Sequence, residues 1–112
     1  MSVLTCLNSS PDAATAQRIA RALVDAHLAA CVNLVPGVTS IYRWQGQVQT
    51  DTEVLLVIKT TNDRLEALSE RLRALHPYDV PELVALPVVG GLADYLHWVD
   101  AETAATAPRD AD

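Results

Sequence analysis

The sequence predicts an α+β fold: a two-layer, ferredoxin-like β-α-β-β-α-β sandwich followed by one further C-terminal helix. Three observations predict it. The run Glu53–Thr60 is apolar on both alternating sides, as a central strand requires. Two other stretches, one before it and one after it, repeat apolar residues at helical spacing. Turn-forming pairs, Pro36-Gly37, Gln45-Gly46 and Gly90-Gly91, punctuate the rest.

The first strand is expected over Ser2 to Leu7, followed by a turn in which Ser10 caps a helix that starts at Pro11. Ile19, Leu23, Ala26 and Ala30 then recur at helical spacing and mark the buried face of that helix. Cys31 to Leu34 starts a second strand, which Val38 to Trp44 continues after Pro36-Gly37 and which turns back at Gln45-Gly46 into Gln47 to Gln49. This forms a long, bent hairpin arm. In the central strand Val54, Leu56 and Ile58 point one way, and Leu55 and Val57 the other.

Asn62 is expected to cap a second helix with Leu65, Leu68, Leu72 and Leu75 on one face. His76-Pro77 ends it, because proline disfavours helix in the residue before it. Leu83 to Val89 reads as the fourth strand, and Leu92, Tyr95, Leu96 and Val99 mark the last helix. Residues 1–105 are read as a single domain and residues 106–112 as a frayed tail. The helices cover one sheet face, so Leu55, Val57 and their apolar neighbours on the other face call for a second copy of the chain.

The composition narrows the class. A chain of 112 residues, 50% hydrophobic, has the size and content of one core. No run approaches the roughly 18 apolar residues of a membrane span, and Met1 to Asn8 lacks the basic flank of a secretory signal, so a cytoplasmic protein is expected. The net charge of −6 repels phosphate backbones and argues against a nucleic-acid partner. Cys6 and Cys31 are the only cysteines, form no C-x-x-C pair and come with no sign of a secretory route, so no disulfide framework is indicated and each is expected to be a buried thiol.

Four strings carry a more specific message: LAACVN at Leu28 to Asn33, PGVTSIYRWQG at Pro36 to Gly46, EVLLVIKT at Glu53 to Thr60 and HPYDVPELVALP at His76 to Pro87. In this order, across Val3 to Trp98, the chain resembles the CutA family of divalent-cation-tolerance proteins. The resemblance implies a ferredoxin-like subunit in a tight homotrimer, with hairpin arms reaching to neighbouring subunits and the terminal helix at the interface. It also implies a role in the response to divalent metals, copper above all, with no reaction attached to the family. A copper site proposed in some members uses a cysteine at the end of the first strand and two successive histidines before Pro-Tyr. Aligned on Pro11 and Pro77, this chain has Asn8 and Leu75 at two of those positions and keeps only His76.

The residues themselves offer two candidate sites. Cys31 and His76 are the leading metal ligands, suited to copper or another divalent ion held weakly, with His27, Cys6 and His97 behind them. Tyr42, Lys59, Tyr78 and Glu82 form the second group. There a partly desolvated Lys59, paired with Glu82 or Glu53, would receive an anionic ligand in a cleft between subunits, unless that pair is only an interface ion pair. Trp44 at the hairpin tip and Trp98 on the last helix are expected as interface anchors.

Enzyme templates find no match. There is no phosphate-cradling glycine loop, no G-x-S-x-G and no H-E-x-x-H. The expectation is therefore a trimeric, non-enzymatic metal-tolerance protein, with a trimeric scaffold or small-molecule sensor as the alternative.

Overall fold

The structure, a computed structural model, describes residues 2–104. The expected frayed tail, 106–112, lies outside the described residues. Strands β1 (Val3–Ser10), β2 (Cys31–Trp44), β3 (Gln47–Thr61) and β4 (Val84–Pro87) form one antiparallel sheet in the order β2-β3-β1-β4. Helices α1 (Ala13–Asp25), α2 (Leu65–Leu75) and α3 (Ala93–Thr103) complete the chain. This is the ferredoxin-like order with its extra helix. Among the described residues no helix is long and apolar enough to cross a membrane.

The core follows from the strand alternation. Val54, Leu56 and Ile58 of β3 and Leu4 and Cys6 of β1 are buried against Ile19 and Leu23 of α1 and Leu68 and Leu72 of α2. Their odd-numbered neighbours, Leu55, Val57, Thr5 and Leu7, face the other way and are only half-buried. α3 crosses one end of that second face, where Val99 packs on Val3 and Ala30, and Thr103 meets Thr61 through their hydroxyls. The rest stays open, with Val35, Val84 and Leu86 between 43% and 49% exposed.

The hairpin arm is set by its turn. Gln45 and Gly46 both have positive φ, 51° and 79°, the geometry whose twist matches a two-residue hairpin. A one-residue slip in pairing between Val35 and Val38, at Pro36-Gly37, bulges the edge strand where proline has no N–H to give. Residues 41–52, the outer part of the arm, are all exposed.

Several boundaries differ from the sequence reading. β1 runs three residues further than expected, because Asn8, Ser9 and Ser10 pair with Leu56, Leu55 and Val54 of β3. Ser10 is thus in the ladder, and its hydroxyl bonds Asn8 instead of capping a helix. Asp12 is the cap, with Oδ1 accepting from Thr15 N at 2.8 Å. α1 stops at Asp25, so Ala30 is buried but lies beyond the helix. Asn62 opens a short 3₁₀ turn, Asn62–Arg64, and α2 follows without a side-chain cap. β4 is shorter than expected, pairing with β1 only over Val84–Pro87.

Candidate functional site

A cavity of about 650 Å³ opens where the hairpin arm meets the loop between α2 and β4. Tyr42 and Trp44 enter it from β2, Glu53 from β3, and Tyr78, Asp79 and Glu82 from the loop. The arm residues reach it because the bulge reverses the alternation of β2: beyond it Tyr42 and Trp44 share a side with Glu53. The remaining lining is apolar or hydroxyl-bearing, without lysine, arginine or histidine.

Two tyrosine–carboxylate pairs organise the cavity. Tyr78 Oη donates to Glu53 Oε2 at 2.5 Å, and Tyr42 Oη donates to Asp51 Oδ2 on the paired strand. Glu53 is 5% exposed, so its charge is held in place by that phenol and by its position on the strand. Desolvation and the Glu53 hydrogen bond raise the Tyr78 pKa strongly. The hydrogen bond to Asp51 is the main cause of a rise at Tyr42. Each phenol also feels the other pair's carboxylate, so the two pairs share one negative field.

The loop is pinned from below by two buried polar side chains. His76 Nε2 lies 2.8 Å from Ser9 O, a carbonyl that can only accept, so Nε2 carries the hydrogen. Its Nδ1 accepts from Tyr78 N at 3.2 Å, which makes His76 the neutral Nε2–H tautomer. Asn8 is fully buried, and its Nδ2 donates to Glu82 O at 2.7 Å. Asn8 and His76 therefore hold the two ends of the segment that carries Tyr78 and Asp79.

The expected metal pair is not assembled within the subunit. Cys31 lies level with Lys59 and hence with Thr5, whereas His76 contacts Ser9, four residues along β1. That is roughly 13 Å of strand, far beyond the reach of two ligands on one ion. His76 also has both ring nitrogens engaged in hydrogen bonds. His27 sits past the end of α1 in a left-handed turn with φ 57°, so it shares no helix face with Cys31, and its Nδ1 donates to Glu102 O at 2.8 Å. Among the described residues no three histidine, cysteine or acidic side chains converge on a common point. Cys6 is buried as expected, but Cys31 is partly exposed, because it projects from the open face of β2.

Lys59 also departs from its expected place. It donates to Asn33 Oδ1 on the neighbouring strand and lies six residues from Glu53 along β3, roughly 20 Å away. Tyr42, Tyr78 and Glu82 come together in the cavity; Lys59 does not line it. The anionic ligand expected there consequently meets no basic side chain among the described lining residues. Asp51 was not foreseen, although the two-residue turn holds the signal: it pairs Tyr42 with Gln49 and leaves Asp51 diagonal to the phenol. Trp44 and Trp98 are both partly exposed, Trp98 lying against Tyr95 with ring centroids 5.6 Å apart.

Residues 4–102 match the family model described as CutA1 divalent ion tolerance protein. The chain belongs to the CutA1 divalent ion tolerance family. It is 56% identical over 93 residues to the divalent-cation tolerance protein CutA of Thermus thermophilus, covering 83% of this chain and 90% of that protein. It is 49% identical over 102 residues to Protein CutA of Mus musculus, covering 91% of this chain but only 58% of that longer one. The crystal structure of CutA from Xylella fastidiosa superposes with a TM-score of 0.89 at 44% identity, over 92% of this chain and 99% of that one. The CutA fold thus accounts for the strand order, the arm and α3 together.

Proposed function

We propose that this chain is a non-enzymatic, homotrimeric member of the divalent ion tolerance family whose working clefts form where subunits meet. The observation that carries the reading is the open face of the sheet. Leu55 and Val57 are half-buried there, and Val35, Val84 and Leu86 are more exposed still. Covering five such side chains regains about 1 kcal/mol each per subunit, which reaches the lower end of the 4 to 15 kcal/mol cost of association. Ile41 and Val48, 70% and 63% exposed on the arm, extend the apolar surface beyond the body of the subunit. Trp98 on α3 supplies an aromatic anchor.

Divalent ion tolerance is the process the family is named for, and copper is the ion the resemblance puts first. In this reading direct binding by the chain is weak, because a subunit presents Cys31 and His76 singly and His76 is already committed to the loop. Calorimetric titration of the chelator-stripped protein with copper and zinc, beside Cys31→Ser and His76→Ala, tests it. Weak binding that does not depend on the two side chains jointly is expected. Submicromolar binding abolished by either substitution in an intact assembly would overturn it.

A further inference from the structure

We infer that the cavity between the hairpin arm and the α2–β4 loop binds a small organic ammonium ion, an amine or quaternary ammonium with an apolar body, between the faces of Tyr42, Trp44 and Tyr78 and the carboxylates of Glu53, Asp79 and Glu82.

The charge of the lining decides the sign of the ligand. Three carboxylates line the cavity, Asp51 stands behind Tyr42, and among the described residues no basic side chain lines it. The net charge of −6 adds a long-range field of the same sign. The side-chain donors that remain, the Ser9 and Ser40 hydroxyls and the Trp44 indole N–H, are all neutral. Both phenol hydrogens are committed to carboxylates, so the tyrosines that line the cavity meet an incoming group with ring carbon and oxygen lone pairs. Ring faces are electron-rich, and an ammonium over them is attracted by the quadrupole.

The dimensions and the donor set favour an organic cation over a bare metal ion. A cavity of about 650 Å³ is the size of a small-molecule site, and one metal ion would leave most of it empty. No three metal-ligating groups converge among the described residues, and Glu53 already accepts from Tyr78. Ile41, Pro77 and Val80 add apolar wall that an alkyl body can cover. Every one of these residues belongs to one chain and none is asked to hold a metal, so the inference does not rest on metal binding.

The test is calorimetric titration of the assembled protein at low salt with four probes: choline, butylammonium, 3,3-dimethylbutan-1-ol as the uncharged counterpart of choline, and butyrate. Binding of one or both ammonium probes is expected, with the neutral alcohol roughly tenfold weaker or worse and butyrate not bound. Glu53→Gln keeps an acceptor for Tyr78 and removes the charge, and is expected to weaken ammonium binding roughly tenfold. Since Glu53 is buried, the exposed pair Asp79→Asn and Glu82→Gln provides a second variant that leaves the core untouched, with a loss in the same direction. Three results would each overturn the proposal: butyrate bound as tightly as butylammonium; no heat with either ammonium on a folded assembly; or unchanged ammonium affinity in the Asp79/Glu82 variant.

Discussion

Tyr78 reaches across from the α2–β4 loop to Glu53 on β3, phenol to carboxylate at 2.5 Å, and this one bond ties the loop side of the site to a buried carboxylate. Tyr78→Phe keeps the ring and removes the donor. Glu53 then lacks its phenol partner in a buried position, a loss of about 1–3 kcal/mol. Urea unfolding of the variant checks this, and an unchanged midpoint would show that the bond adds nothing.

Alkaline pH is expected to unfold the protein through its tyrosines and Cys6. Burial lifts the Cys6 thiol from 9.0 to about 11, and Tyr42, Tyr78 and Tyr95 are all raised above 10.0. For each group the folded state holds its proton more tightly than the unfolded chain does. The stability this contributes is complete below the unfolded pKa and is lost as pH climbs toward the folded value. Stability should therefore fall from about pH 9 upward. Phenolate absorbance should stay flat past pH 10 and then rise together with loss of helical circular dichroism. Early phenolate formation in a folded protein would contradict the tyrosine environments.

Asn8 sits at the position where the resemblance implies a cysteine in some relatives, and here it is a buried donor to the Glu82 carbonyl. Asn8→Ala is expected to cost about 1–3 kcal/mol and to loosen the loop. Faster hydrogen exchange at the amides of Tyr78 and Asp79, relative to those of α1, is the readout. Uniform exchange across the chain would mean that the loop does not depend on Asn8.

Gly46 adopts φ 79° at the hairpin tip, next to Gln45 at φ 51°. Gly46→Val is expected to cost at least about 1 kcal/mol, because a β-branched side chain is strained at positive φ even where space is open around it. Thermal unfolding of the variant measures the effect.

Much of the fold is legible in the chain because local chemistry and long-range packing agree there. Gln45-Gly46 announces its turn, Pro77 its helix end, and Val54 to Ile58 its central strand. The end of β1 was not legible, because Ser9 and Ser10 are turn formers that β3 recruits into a ladder. The site was legible as a set of residues but not as a charge pattern. Whether Glu53 meets Lys59 or Tyr78 depends on contacts across 25 positions and on a bulge that reverses one strand. The same long-range geometry separates Cys31 from His76, which spacing alone cannot show.

The most direct test of the account is the mass of the purified protein by light scattering, for the wild type and for Leu55→Glu combined with Val57→Lys on the open face. Three subunit masses are expected for the wild type, and dissociation or precipitation for the variant. A wild-type protein that remains a folded monomer, with Leu55 and Val57 half-exposed to water, would contradict it.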